Sequence, residues 1–357
     1  MRKVAIIFPK DSEALFNKDS NRTFGGASVQ MYLIAKEMKT YKNLEVFSFI
    51  PDYKKIKFDD YKRFNIIKTF REKDSIFKKA YIIKKKINEI KPDVIIQHGL
   101  TPFSGILAKY CTKKRIKFIF MFASDKEVEG KYQSNGKKDY FFKILLKNAV
   151  LISQNNSQKE YILKEYNASS IIIYNGFPVN KKPKNKYNVL WVSRCDKLKN
   201  PELFLDLAKY FKNKSFVMIC PESSDKEFFY NIREKVSHIK NLKFISFVKF
   251  NDINKYFINS RIFVNTSDYE GFPQTFIQAT MNGTPIISLN VNPNNFLDKY
   301  KCGFCANGDL ELMKKQISKL LGDRKLWAEM SNNAYKYAKE NHDLKKNVNI
   351  LLIIIKK

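Results

Sequence analysis

Short apolar runs rich in valine and isoleucine alternate along this chain with longer amphipathic stretches, and the pattern occurs twice. In the first half the runs are Val4 to Phe8, Leu44 to Ile50, Asp93 to Gln97, Lys117 to Met121, Ala149 to Ser153 and Ser170 to Tyr174. Helical periodicity fills the intervals at Ser28 to Met38, Ile76 to Ile90 and Tyr140 to Lys147. The runs are continuously apolar rather than alternating, so each strand is expected to be buried on both faces. That is the mark of a parallel sheet sandwiched between helices.

The rhythm stops at "YNGFPVNKKPKNKYN", a stretch of Asn, Pro and Lys without apolar period, which reads as a linker. It restarts with Asn188 to Val192, Ser215 to Cys220, Leu242 to Phe247, Arg261 to Asn265 and Thr284 to Ser288, and turns helical from about Arg324. A length of 357 residues, 44% of them hydrophobic, suits two such cores. The expectation is two doubly wound α/β domains, 1–178 and 179–335, facing each other across a cleft where ligands bind at the carboxyl ends of the strands. A last segment, 336–357, is expected to form a helix packing back toward the first domain.

Several functional classes are set aside on composition. "MRKVAIIFPK" reads as a strand rather than a secretory signal, and the apolar tail "NILLIIIKK" is far shorter than the ~20 residues that span a bilayer. A cytoplasmic location is the expectation. Five cysteines are an odd number and too dispersed for a disulfide framework. Cys302-Gly-Phe-Cys305 has no second pair and no neighbouring histidine in sequence, so the two read as ordinary thiols and no metal is expected. The net charge of +31 is spread through both halves. It reflects either a taste for lysine or an anionic membrane surface, to which the runs Lys84-Lys85-Lys86 and Lys113 to Lys117 would be suited. No nucleic-acid-binding signature accompanies it.

The most informative stretch is "SDYEGFPQTFIQATMNGTPIIS", Ser267 to Ser288. It reads as loop, helix, turn and strand, with Pro273 at the first helical position and Gly283 as the stop. Gly271 admits a ligand close to the backbone, and a helix start suits phosphate. An acid, Glu270, beside an anion site is suited to sugar hydroxyls instead. Glu270, Gln274 and Gln278 recur every four residues, which puts the two glutamines on one helix face.

These residues, "EGFPQTFIQA…NGTPII", resemble the signature of the retaining, sugar-nucleotide-dependent glycosyltransferases of family four, which have the GT-B fold. "VLWVSRCDKLKNPELFLDLA", "FGGASVQMYLIAKEM" and "LISQNNSQKEYILKEY…IIIYNGFP" extend the resemblance over nearly the whole chain. It implies that Glu270 bonds donor-sugar hydroxyls and that the backbone of Gly271, Phe272, Pro273, Gln274 and Thr275 cradles sugar and diphosphate. Arg194 and Lys199 would neutralise the diphosphate leaving group. Gln278 stands where the family usually has a second Glu on the ribose, and Ser193 where many relatives have Gly. The exchange at 278 is expected to cost on the order of 1 kcal/mol of binding.

In the first domain, Gly25 and Gly26 are either a flexible turn or a close approach to diphosphate at a helix start, and the polar loop Pro9 to Phe24 reads as a flap over the acceptor. His98, at the end of a strand, is either structural or near the reacting sugar. Asp125 and Glu127 follow the next strand where many relatives carry a His-Asp pair. They orient or deprotonate the acceptor hydroxyl, or are solvated loop acids. The expected activity is transfer of a sugar from a UDP- or GDP-type donor to a glycan or lipid-linked acceptor with retention, without a cofactor, in bacterial lipopolysaccharide, capsule or glycolipid synthesis. The alternatives are a degenerate module acting as a scaffold, and a sugar-nucleotide epimerase of the same fold.

Overall fold

A computed structural model describes all residues except 18, 19, 21, 54–63, 130–135, 179–186 and 357. It divides the chain into two compact units, Met1–Gly176 with Leu344–Lys357, and Phe177–Asp343.

The first unit holds a seven-stranded parallel sheet: β1 (Arg2–Ile7), β2 (Leu44–Ile50), β3 (Ile66–Lys68), β4 (Val94–His98), β5 (Lys117–Met121), β6 (Val150–Ser153) and β7 (Ser170–Ile172). Their order is β3-β2-β1-β4-β5-β6-β7. Ala5 and Ile7 of β1 join Ile83, Leu107 and Leu145 in a core under the helices Ile76–Ile90, Ser104–Lys113 and Gly136–Asn148. The helix Gly26–Met38 covers the strands together with the helix Leu344–Lys356.

The second unit repeats the scheme with β8 (Tyr187–Val192), β9 (Phe216–Ile219), β10 (Leu242–Ile245), β11 (Ser260–Asn265), β12 (Ile286–Ser288) and β13 (Gly303–Cys305), ordered β10-β9-β8-β11-β12-β13. Here the continuous apolar runs find their reason. Val189, Trp191, Ile262 and Val264 face one core with Phe204, Leu207 and Ile317. The alternate residues Leu190 and Phe263 face another with Phe257, Phe276 and Phe296. In the middle of β8 and β11 neither face looks at water, so the run there is apolar on both.

Two three-residue strands, β3 and β13, are absent from the sequence reading, being too short to show a period. The second is the Gly-Phe-Cys part of the Cys302 to Cys305 stretch, whose two thiols are buried and reach backbone carbonyls of Phe296 and Leu289 at 3.8 and 3.9 Å. The loop expected over Pro9 to Phe24 contains a helical turn, Glu13–Phe16, and Phe16 is buried edge-on against Phe8, Tyr32 and Phe64. Apolar packing, not polarity, therefore sets part of its shape. Residues 18, 19 and 21 of that loop, and 179–186 of the expected linker, lie outside the described residues.

The C-terminal segment is two helices, Arg324–Asn341 in the second unit and Leu344–Lys356 in the first. The chain passes back beside Gly176, where a Cβ would stand 2.8 Å from the Cα of Leu344. Asn347 Nδ2 donates to the Tyr174 carbonyl at 2.8 Å, and the Gly176 N–H donates to Gln30 Oε1 at 2.9 Å. Lys117 Nζ closes the end of the last helix on the Ile354 carbonyl at 2.9 Å. Among the described residues no helix is long and apolar enough to cross a membrane.

Candidate active site

In the second sheet the winding reverses between β8 and β11, so the loops leaving these strands diverge beyond the carboxyl ends. The two loops are laced together. Asn200, left-handed at φ 46°, donates from Nδ2 to the Thr266 carbonyl at 3.2 Å and to Asp268 Oδ1 at 2.5 Å. Thr266 donates to the Lys199 carbonyl at 2.7 Å and accepts from Trp191 Nε1 at 2.9 Å, and the Asp268 N–H donates to the Leu198 carbonyl at 3.0 Å.

This lacing brings together two of the residues singled out from sequence. Lys199 Nζ lies 2.9 Å from Glu270 Oε2, with side chains only 17% and 19% exposed. The other carboxylate oxygen accepts from Ser267 Oγ at 2.7 Å and Asn265 Nδ2 at 3.2 Å. Asn265 is itself fixed through Oδ1, which accepts from the Ser267 N–H at 3.3 Å and Ser288 Oγ at 3.4 Å. Glu270 is thus oriented by two groups, Ser267 and Asn265, and charge-compensated by a third, Lys199. Sequence reasoning missed Asn265 and Ser267; their only signal was polarity at the last residue of an apolar run and just beyond it.

Arg194 lies exposed on the same β8 loop as Lys199. Its neighbours are pinned, Ser193 N–H to the Ile219 carbonyl at 3.1 Å and Cys195 N–H to the Pro221 carbonyl at 2.9 Å. The guanidinium therefore projects from a fixed backbone. After Glu270 the chain enters the helix Gln274–Met281. Pro273 is its N-cap rather than its first residue, with φ −62° and ψ 131°, because an extended residue is needed to turn into the helix from the Gly271-Phe272 loop. The helix stops in a Schellman motif: Gly283, at φ 63°, donates to the Thr280 carbonyl and Thr284 to that of Ala279, both at 2.9 Å. Phe272 packs its ring on Phe296 and His342, each 5.3 Å between centroids, which leaves its backbone rather than its side chain to face a ligand. Gln278 is buried, while Gly271, Gln274 and Thr275 are partly exposed.

In the first unit the candidates gather at the carboxyl ends of β4 to β7. Gln154, just past β6, donates from Nε2 to His98 Nε2 at 2.8 Å and to the Phe122 carbonyl, and accepts from Asn175 Nδ2 at 2.7 Å. His98 Nε2 also lies 3.2 Å from the Phe122 carbonyl, which can only accept, so both a donor and an acceptor face Nε2, and the other ring nitrogen is Nδ1. That nitrogen is buried and has no hydrogen-bond partner among the described residues. Burial holds the imidazole at a pKa of about 4, so it is neutral near pH 7. Asp125 Oδ1 accepts from Asn155 Nδ2 at 3.1 Å and Gln158 Nε2 at 2.9 Å. Both candidates are therefore held by one segment, Gln154 to Gln158, whose amides carried no signal by themselves.

Glu127 is not a solvated acid. It is buried, accepts from the N–H groups of Ala123 at 2.8 Å and Leu100 at 3.0 Å, and burial raises its pKa to about 6. It ties the loop after β4 to the loop after β5. Gly25 and Gly26 do open a helix, Gly26–Met38, but an internal carboxylate stands at its start: Asp11 accepts from the Gly25 N–H at 2.6 Å and from Ser28 Oγ.

Residues 173–337 match the family described as glycosyl transferases group 1. An uncharacterized glycosyltransferase of Haemophilus influenzae is 30% identical over 87 residues, 24% of this chain and a quarter of that relative's length. Among solved structures, the sucrose-phosphate synthase of Thermosynechococcus elongatus superposes with a TM-score of 0.77 at 14% identity, covering 100% of this chain and 98% of that one. WaaG, a glycosyltransferase involved in lipopolysaccharide biosynthesis, superposes with a TM-score of 0.66 at 15% identity over 99% of both chains. The fold is the two-domain, parallel-sheet α/β fold of the GT-B glycosyltransferases.

Proposed function

We propose that this chain is a group 1 glycosyltransferase that moves a sugar from a nucleoside diphosphate donor, UDP- or GDP-linked, to a glycan or lipid-linked acceptor with retention at the anomeric carbon. The observation that supports it best is the Lys199–Glu270 pair at the switch point of the second sheet, inside the stretch that matches the family. A cation and an oriented carboxylate side by side suit a ligand that is part phosphate and part polyol.

On this reading Lys199 and Arg194 meet the diphosphate as it leaves, where negative charge grows in the transition state. Glu270 holds donor hydroxyls, and Ser267 and Asn265 keep its free lone pairs aimed. Gly271, Phe272, Pro273, Gln274 and Thr275 offer backbone to sugar and phosphate, and Gln278 takes the ribose with one acceptor and one donor. The leaving phosphate oxygen helps take the acceptor's proton, so no metal is invoked. His98, neutral through burial, is an uncharged polar group near the reacting sugar, and Asp125 orients the acceptor. Gly25 and Gly26 reach the diphosphate only if the Asp11 carboxylate gives way. The excess of lysine fits work at an anionic membrane surface, as in lipopolysaccharide, capsule or glycolipid synthesis.

A thermal-shift screen of nucleotide sugars, followed by acceptor-free hydrolysis of whichever one stabilises the protein, tests this. A ligand at a hundred times its dissociation constant adds about 2.7 kcal/mol, a clear shift. If no nucleotide sugar stabilises the chain or is hydrolysed, the scaffold reading replaces the enzyme.

A further inference from the structure

We infer that the helix Ile76–Ile90 is a membrane-docking face that seats the first unit on an anionic lipid bilayer. Its inner side is ordinary core, with Ala80, Ile83 and Ile87 buried. Its outer side is not an ordinary helix surface. Ile76, Phe77 and Tyr81 are 45%, 74% and 67% exposed. Phe77 and Tyr81 stand four residues apart, so they lie on one stripe, with Lys85 continuing it.

Basic groups surround that stripe. Between Arg71 and Ile90 there are seven basic residues and three acidic ones. Lys78 pairs with Asp74 at 2.9 Å and Lys86 with Glu89 at 2.7 Å. Lys73, Lys79, Lys84 and Lys85 have no ion-pair partner among the described residues. Lys79 and Lys84 lie over the rings of Phe70 and Tyr110, 5.4 and 5.2 Å from the centroids. Those two ammonium groups sit on ring faces, and Lys79 Nζ also donates to the Glu72 carbonyl at 2.7 Å, whereas Lys73 and Lys85 are exposed beside the stripe, an arrangement that suits an acyl–headgroup boundary with anionic lipid. A protein groove would account for the apolar stripe but not for the surplus of uncompensated lysine around it.

The position fits the use. The helix follows β3 in a parallel sheet, so Ile76 and Phe77 lie toward the carboxyl ends of the strands, the end of this unit that carries His98. Phe70, in the lead-in, packs on Phe103, just past β4, with centroids 5.7 Å apart. The inference deepens the reading of an enzyme at a membrane and rests on it only for the purpose of the contact.

Flotation of the full chain with phosphatidylglycerol–phosphatidylcholine vesicles tests it. Phe77→Ser with Tyr81→Ser should weaken binding roughly tenfold or more, and so should Lys73→Glu with Lys85→Glu. Lys212→Glu with Lys214→Glu, the same charge change on exposed residues of the second unit, should have little effect. Both native tryptophans belong to the core of the second unit, so Phe77→Trp adds a clean reporter whose emission should shift to the blue on anionic vesicles. The inference is overturned by equal losses in the two lysine pairs, by binding that survives loss of the aromatics, or by no blue shift. A shift that grows with protein concentration alone would identify a second copy, and competition by glycerol phosphate a small-anion site; either overturns the bilayer. Stabilisation by the nucleotide sugar, measured on the same variants, should be unchanged. Its absence in every variant and in the native chain would remove the transferase while leaving the docking result to stand or fall alone.

Discussion

Glu270→Gln should tighten binding of the nucleoside diphosphate while slowing the reaction. In the structure Lys199 Nζ is already engaged at 2.9 Å by an internal carboxylate. At an effective dielectric of ~20 that separation corresponds to on the order of 5 kcal/mol of gross attraction. Desolvation of two largely buried groups offsets most of it, leaving ~1–2 kcal/mol net. A diphosphate that recruits Lys199 must compete with that pairing. The glutamine keeps the shape and an oxygen for Ser267 and Asn265, but it no longer holds the ammonium. Affinity for uridine or guanosine diphosphate should therefore rise by about 5- to 30-fold, with the bare nucleoside unaffected. Turnover of the nucleotide sugar should fall by about one to three orders of magnitude, because a neutral amide is a weaker acceptor for the donor's hydroxyls in the transition state. Calorimetric titration with diphosphate and nucleoside, alongside steady-state rates, reads both effects. Weaker diphosphate binding, or an equal change for the nucleoside, would refute Lys199 as a phosphate ligand; near-normal turnover would remove Glu270 from the site.

Arg194→Ala should weaken the nucleoside diphosphate far more than the nucleoside in the same titration, since only the former carries the charge that the guanidinium meets; equal losses would point to another pocket. Gln278→Glu should change the Michaelis constant for the donor by at most about tenfold and leave turnover nearly unaltered, whereas a hundredfold gain in turnover would mark the native chain as a decayed enzyme. His98, held at about 4 against ~6.5 in the unfolded chain, leaves the unfolded state binding more protons between these values, so stability should fall by ~3 kcal/mol as pH drops from ~6.5 to ~4. Glu127, held at about 6 against ~4.5, acts with the opposite sign between ~6 and ~4.5, adding ~2 kcal/mol as pH falls. Urea unfolding across this range should show His98→Gln losing less stability than the native chain on acidification; parallel curves would contradict the burial argument.

The fold was legible because its strands are buried on both faces. Leu44–Ile50 and Lys117–Met121 coincide with the apolar runs, and Ile76–Ile90 with the helical period. What escaped was short or polar. β3 and β13 have three residues each and no period to find. At the site, charge and glycine punctuation pointed to Glu270, Lys199 and Arg194. Asn265 and Ser267 were marked only by polarity at the end of an apolar run, and Gln154 and Asn175 by nothing local, because their roles depend on partners brought near by tertiary structure. Asp11 shows the same limit from the other side. A glycine pair before a helix reads as an open anion site, and only folding reveals the aspartate, fourteen residues upstream of Gly25, that caps it.

The return of the chain to its first unit through the helix Leu344–Lys356 has a consequence for biosynthesis. Val348, Leu351 and Ile355, nearly solvent-free in the finished protein, are synthesised only after the whole of the second unit. The partners they cover on the helix Gly26–Met38 are made before it. All of Phe177–Asp343 is translated in between, which at ~5–20 residues per second takes on the order of ten to thirty seconds. During that interval the nascent first unit presents an uncovered apolar strip, so the chain is exposed to chaperones, proteases and its own neighbours. A stop codon placed after Asp343 would prolong that exposure indefinitely, and the shortened chain should accumulate as aggregate or be degraded although every residue of the switch-point site is still present.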